Sequence, residues 1–382
     1  MNCVDSSPNM EIVALGDLFE DQVESCLKKL KTEGEKDWSS SRPWQNAGKV
    51  KVTPATCFAG FDAYKQVIRS NVDLVILATP PHFRPEHLKA AIQAGRHVFM
   101  EKPVAVDPVG IRSILATSEL AKQKKLAIVA GTQRRHSPTY IEVMKRIHND
   151  AIGRIVSGQC YWNQGWVRQW GFWRKPKPQW SDMEVQCRNW YYYTWLSGDH
   201  IVEQHVHNID VINWAMGTHP VVAMGMGGRQ VRTEPEFGNI YDHFAVEFEY
   251  PNGARILSMA RQIIGCTDRI AERIVGTKGT ASDGLIEGAN PFKYDGPSVN
   301  PYEQEHADLI KSIRDGKPLN EARQVAESTM TAIMGRMSAY TGRALKWDWA
   351  MKASKLDLTP SRYEFGDLSV QPVAVPGQTK LT

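Results

Sequence analysis

The sequence predicts two successive fold types. The first is an α/β parallel sheet with helices on both faces; the second is an α+β unit with an open, mostly antiparallel sheet. Three observations carry this. Short apolar runs alternate with helix-period segments from Met10 to Ala130. From Gly153 the pattern changes to strand-like alternation joined by turns such as Pro251-Asn252-Gly253. In the first part every strand-like run is closed by a distinctive polar or proline-rich group, as expected where parallel strands empty into ligand-binding loops. A chain of 382 residues has room for two domains. The expected boundaries are residues 1–133, 134–350 and a C-terminal arm from 351 to 382.

In order, Met10 to Leu15 reads as a short buried strand ending at Gly16-Asp17, and a helical pattern runs from Asp21 to Leu30. Lys31 to Lys49 is polar and reads as a loop. Phe61 to Ser70 is helical; Asn71 to Thr79 is an apolar strand stopped by Pro80-Pro81. Pro85 to Ala94 is a helix with proline in its first turn and Gly95 at its end. His97 to Met100 is a strand closed by Glu101-Lys102-Pro103, followed by a helix (Pro108 to Lys122) and a strand (Leu126 to Ala130). Later strands are expected at Ile155 to Tyr161, Val221 to Arg232, Asp242 to Tyr250, Ala254 to Arg261 and Ala271 to Gly276. Helices are expected at Tyr302 to Asp315 and Ala322 to Thr341, the last stopped by Gly342. The tail from Lys352 is rich in Pro, Ser and Thr and reads as an arm over the body or over a partner subunit.

Composition narrows the function classes. Apolar residues make up 42% of the chain, enough for a substantial core, and a net charge of +4 without long basic runs gives nucleic-acid binding no support. The six cysteines show no close pairing, which argues for free, mostly buried thiols rather than a zinc ribbon or disulfide framework. No run of eighteen apolar residues is present, so no membrane span is expected. Five of the twelve tryptophans crowd between Trp162 and Trp180, a density suited either to a carbohydrate surface or to plain core packing.

Gly198 to Trp214 (GDHIVEQHVHNIDVINW) reads as a helix with two opposed faces. At about 100° per residue, Asp199, His200, Glu203, His207, Asp210 and Trp214 share one arc of roughly 100°. Ile201, Val202, Val206, Ile209 and Ile212 take the other side. No Lys or Arg dilutes the polar arc, so it reads as the wall of a site rather than a solvated surface. His205 falls among the apolar residues and reads as a core or supporting histidine. His200, at the arc's edge, either touches substrate or caps the helix start with Asp199. A metal held by His200, Glu203 and His207 is weighed and set aside, because HIVEQH misses the HxxEH zinc spacing by one residue.

In a doubly wound sheet, ligands sit beyond the carboxyl ends of the strands. The residues at those ends are Asp17, then Ala78, Thr79, Pro80 and His82, then Glu101 and Lys102, then Gln133. Together they read as a dinucleotide site of Rossmann type. Asp17 suits the adenosine ribose hydroxyls and would repel a 2′-phosphate, favouring NAD over NADP. The expected GxGxxG turn is missing, and Met1 to Val4 reads as the end of a first helix. The expectation is that the first strand and phosphate loop lie upstream of Met1, leaving the sheet N-terminally truncated. Arg134 and Arg135 either bind an acidic substrate group or anchor the domain junction. Trp162, Trp166, Arg168, Trp190 and Tyr193 are candidates for contact with a sugar ring.

Glu101-Lys102-Pro103, together with Glu203-Gln204-His205-Val206-His207-Asn208-Ile209-Asp210 and the intervening ATPPHFRPEHLKAAIQAGRHVFMEKP, resembles the glucose–fructose oxidoreductase / inositol dehydrogenase / rhizopine-catabolism (Gfo/Idh/MocA) family. The resemblance runs from residue 10 to about 345, and AIMGRMSAYTGRALKWD is similar to a sugar-directed branch of it. It implies hydride transfer between a nicotinamide and a hydroxyl-bearing carbon of a sugar or cyclitol. It also implies subunit pairing into dimers or tetramers through the C-terminal sheet. The family's lysine falls on Lys102, and its acid and histidine fall on Glu203 and His207. Many members carry Asp at the first of these two positions. Histidine suits a general base at neutral pH, Lys102 would polarise the reacting oxygen, and Glu203 would orient the imidazole. Two other readings stay open at the level of sequence: an NAD-dependent glycosidase acting by transient oxidation and elimination, and a non-catalytic nucleotide- or sugar-binding protein. The expected location is cytoplasmic, or periplasmic if an export signal precedes Met1.

Overall fold

The computed structural model describes residues 1–36, 39–165 and 174–382. A short helix α1 (Asn2–Asp5) leads into β1 (Leu15–Asp17), α2 (Glu20–Lys31), β2 (Cys57–Ala59), α3 (Ala63–Arg69), β3 (Leu74–Leu77), α4 (Arg84–Gln93), β4 (His97–Met100), α5 (Pro108–Gln123) and β5 (Ile128–Ala130). Helix α2 returns the chain so that β2 is parallel to β1, and α4 and α5 do the same for β3, β4 and β5. The strand expected at Met10 to Leu15 is displaced. Its ladder forms at Leu15–Asp17, and Ile12 makes only an isolated bridge to Val50.

The parallel strands fall into two pieces. β1 pairs with β2, and β3, β4 and β5 pair in that order. Among the described residues no strand joins β1 to β3, and Ile76 in the middle of β3 is 49% exposed. β4 lies between β3 and β5, and its Val98, Phe99 and Met100 are all buried, so Glu101 and Lys102 leave the sheet from a rigid base.

The second part is built on one large sheet. After α6 (Pro138–His148) come β6 (Ile155–Gln164) and the short helices α7 (Asp182–Arg188), α8 (Thr194–Ser197), α9 (His200–Glu203) and α10 (Val206–Met216). Then follow β7 (Val222–Gly228), β8 (His243–Glu249), β9 (Arg255–Gln262), β10 (Arg269–Gly276), β11 (Gly279–Ser282), β12 (Leu285–Gly288) and β13 (Phe292–Lys293). Helices α11 (Pro301–Arg314) and α12 (Ala322–Thr341), strand β14 (Leu345–Lys346) and helix α13 (Trp347–Lys352) complete the list. The order is β13-β12-β11-β10-β6-β9-β8-β7-β14, antiparallel throughout except for β6 beside β9. The strands expected here are present, and β11 to β14 extend the sheet at both edges.

Helix α12 lies against one face of this sheet, with most of its twenty residues buried. Gly225 of β7 permits that closeness. A Cβ there would stand 3.0 Å from the Gly335 carbonyl and the Ala339 nitrogen. Its own N–H donates to Ser338 Oγ at 2.8 Å. From this seat Arg336 donates to the Gly198 carbonyl at 2.9 Å and so fixes the start of α9.

Candidate active site

Lys102 and the α9–α10 segment meet in the cleft between the two sheets. The Lys102 ammonium donates to the backbone carbonyl of Glu203 at 2.5 Å and stands 3.1 Å from Glu203 Oε1. This contact explains why the helix read from Gly198 to Trp214 is not continuous. In an unbroken helix the Glu203 carbonyl would accept from the N–H of His207, four residues on. Lys102 takes that carbonyl, the His207 N–H turns to Gln204 O at 3.3 Å, and α9 and α10 separate at Gln204-His205.

The break divides the expected polar arc. Glu203 is committed to Lys102 and to the Gln204 side chain, not to His207. The His207 ring stacks on Trp162, with centroids 5.7 Å apart and planes 25° from parallel. Burial, with Lys102 and Arg134 as further cations, holds His207 well below the usual imidazole pKa. His207 is therefore neutral at pH 7 and free to accept a proton. Asp210 is locked in a bidentate pair with Arg135, at 2.8 and 2.9 Å. Asp199, capping α9, accepts from the backbone of His200 and Tyr241 and from the Tyr340 hydroxyl.

Several expected contacts are corrected. His200 does not reach the cleft: it is fully buried, edge-on to Phe244 at 5.1 Å, with neither ring nitrogen hydrogen-bonded. Arg134 is paired through Nη1 with Glu272. Of the two roles weighed for it, the structure favours the anchor. Tyr193 packs in an apolar cluster with Met183, Cys187, Leu196 and Phe237 and is 5% exposed, which leaves no face for a sugar. His205 is buried, 2.7 Å from Ser258 Oγ, in keeping with a core histidine. Trp162 is half-buried beside His207, and Trp190 is half-buried against the apolar cluster that contains Tyr191. Trp166 and Arg168 lie outside the described residues. With His200, Glu203 and His207 turned to different neighbours, they do not converge. Among the described residues no three His, Cys, Asp or Glu side chains gather as a metal site.

The strand ends supply the groups suited to a dinucleotide. Asp17 closes β1, and its Oδ1 accepts from Phe19 N at 2.9 Å. Burial raises its pKa. Ala78 is exposed, and Thr79 and Pro80 are half-buried, above β3. Glu101 follows β4. A Cβ at Gly131, after β5, would collide with the Glu101 carboxylate where it now lies, so the side chain of Glu101 would have to move aside. Burial pushes the Glu101 carboxyl up. Thr132 Oγ1 and Gln133 Oε1 are buried without hydrogen-bond partners, the mark of a site that expects a polar ligand. These groups, mostly hydrogen-bond acceptors, fit the hydroxyls of ribose and the amide N–H of the nicotinamide end of NAD. The pyrophosphate end has Asp17 nearby but no GxGxxG turn anywhere in the sequence.

One important residue escaped the sequence reading. Arg84, the first residue of α4, is 4% exposed and donates to the Pro103 carbonyl, directly beneath the Glu101-Lys102-Pro103 turn. Burial lowers its pKa to about 10, and the charges of Glu101 and Glu203 act in the opposite direction. A cation at a helix N-terminus opposes the helix dipole. That anomaly, in FRPEH, was the available signal.

Comparison with known proteins identifies the family and the fold. Residues 2–132 match the profile described as "Oxidoreductase family, NAD-binding Rossmann fold", and residues 140–282 match the "GFO/IDH/MocA C-terminal domain". The 2,7-anhydro-N-acetylneuraminate hydratase of Escherichia coli (strain K12) is 26% identical over 253 residues, covering 65% of this chain and 62% of that protein. The scyllo-inositol 2-dehydrogenase (NAD(+)) of Bacillus subtilis (strain 168) is 21% identical over 288 residues, 75% of this chain and 69% of that one. The chain thus spans less than two thirds of the first curated relative it matches. Among solved structures, scyllo-inositol dehydrogenase from Lactobacillus casei with bound cofactor NAD(H) and scyllo-inositol superposes with a TM-score of 0.65 at 16% identity. That match covers 90% of this chain and 94% of the other. The two profiles between them account for most of the chain, and the chain belongs to the Gfo/Idh/MocA oxidoreductase family.

Proposed function

We propose that the protein transfers hydride between NAD and a hydroxyl-bearing carbon of a sugar or cyclitol. In this reading Lys102 and His207 handle the hydroxyl proton. The observation that carries the reading is the buried Lys102–Glu203 contact beside a neutral His207. When bound, the nicotinamide serves as the hydride acceptor. The side chains do the rest. An ammonium has three N–H donors; Glu203 holds two of them, through its carbonyl and its carboxylate, and the third is left for a substrate oxygen. An ammonium fixed in this way stabilises negative charge developing on that oxygen without reorganising. His207, neutral and stacked on Trp162, would take the proton. Asp17 would hold the adenosine ribose, and Glu101, Thr132 and Gln133 the nicotinamide end. Dehydrogenase names among the relatives, such as the Bacillus scyllo-inositol enzyme, favour a polyhydroxylated substrate.

The test is absorbance at 340 nm with NAD and a panel of aldoses and inositols. NADH formation with at least one of them is expected. Release of an aglycone without net NADH would instead favour transient oxidation. Subunit pairing is proposed through the open face of the large sheet, where Met224, Met226 and Leu257 are 63%, 73% and 41% exposed. Met226→Lys should halve the particle mass seen by analytical ultracentrifugation; an unchanged mass would move the interface elsewhere.

A further inference from the structure

The crevice beyond β1, β2 and β3 is bridged by aromatic rings. Phe19, Phe61 and Phe83 follow the three strands in turn. Two residues of the C-terminal arm stand among them. Phe365 stacks on Phe19 with centroids 5.9 Å apart and planes 13° from parallel, and lies 5.5 Å from Phe61. Tyr363 lies 5.8 Å from both Phe61 and Phe83, and its hydroxyl is 2.7 Å from His82 Nε2. Ring contact therefore runs without interruption from the loop after β1 to the loop after β3. The arm is tied down on both banks. Leu358 N–H donates to Asp107 at 2.9 Å on the near side. On the far side Met183 N–H donates to the Gly366 carbonyl at 3.1 Å, and Leu368 N–H to Asp182 at 3.1 Å.

A dinucleotide crosses an open α/β sheet in this crevice, with its adenosine beside the acid that closes β1. That acid is Asp17, two residues before Phe19. A flat purine would need the ring faces that Tyr363 and Phe365 now cover. We propose that arm residues 357–368 are a built-in occupant of the adenosine part of the cleft, so that the arm and NAD exclude each other. The proposal rests on the NAD reading above. Phe365 is 49% exposed, and apart from its rings the arm is held by a few separate hydrogen bonds, to Asp107 on one bank and to Asp182, Met183 and Gln186 on the other, with no ion pair among them.

The test compares the full chain with Tyr363→Ala/Phe365→Ala, two positions remote from Lys102 and His207. Calorimetric titration with NAD should show affinity on the order of tenfold tighter in the double variant, because the competing closed state is removed. Equal or weaker affinity in a variant with unchanged circular dichroism overturns the proposal and makes the arm a wall of the site. Hydrogen exchange on the unmodified chain gives a second, independent readout. The amides of Leu358, Met183 and Leu368 should exchange faster at saturating NAD; unchanged or greater protection also overturns exclusion. Tighter NAD binding with no turnover on any sugar would leave exclusion standing and refute the proposed reaction. No NAD binding by either protein would refute both.

Discussion

The two ends of the cleft differ in how they are made. At the Lys102 end, groups from β4, β5, α4, α9 and α10 converge, and ionic contacts hold them: Lys102 with Glu203, Arg134 with Glu272, Arg135 with Asp210. At the Asp17 end, the sheet is split between β1 and β3, and the space above it is filled by rings from the C-terminal arm. The first end depends on a few residues fixed by packing. The second depends on which part of the chain, or which ligand, fills the crevice. On the proposed roles, chemistry falls at one end and cofactor capture at the other, and substitutions at the two ends should fail differently.

The largest effect is expected at Lys102. Lys102→Met should lower kcat by about a hundred- to ten-thousandfold, the range for a positioned proton-handling group, while NAD affinity stays within a few-fold by calorimetry. A parallel loss of NAD binding would mean the two ends are not separable. Next is Arg84→Met. It removes the donor beneath the Pro103 carbonyl and a buried cation near Glu101, and should cost about 1.5–3 kcal/mol in urea unfolding. It should also lower kcat, by loosening the turn that carries Lys102. Full activity and stability would show that the turn holds itself. A separate effect, on stability alone, is a pH dependence behind β5. His136 bonds to Asp308 at 2.7 Å and lies 3.3 Å from Glu321. Burial alone would lower its pKa, but the two carboxylates overcome this and raise it to about 10. A raised imidazole pKa contributes stability that is complete below about pH 6.5 and is lost as pH rises through about 10. Unfolding free energy should therefore fall over that window in the parent protein, and the slope should flatten in His136→Gln. An identical slope in both would remove His136 from the account.

How much of this was readable in advance follows from which contacts are local. The strands ending at Met100 and Ala130, and helices such as Ala322–Thr341, were legible because apolar period and stop signals lie within the segment itself. Lys102, Glu203 and His207 were legible as short motifs. The break at Gln204-His205 was not, because no Gly or Pro marks it; it arises when a lysine 101 positions away captures a helix carbonyl. For the same reason the periodic arc placed His200 beside Glu203, whereas the structure turns its ring to Phe244. Arg134 looked available because its partner, Glu272, comes from a distant strand. The arm was expected to lie over the body or over a partner. That its Tyr363 and Phe365 meet Phe61 depended on tertiary placement alone.

The pH dependence of kcat/KM, in the parent and in His207→Gln, tests the proton-transfer role most directly. A base must be neutral to act, and burial together with Lys102 and Arg134 holds His207 well below pH 6.5. The parent profile should be flat above pH 6.5, with its acid limb below that value, and the variant should lose both rate and limb. An acid limb above pH 6.5, or one that survives unchanged in His207→Gln, would contradict the assignment.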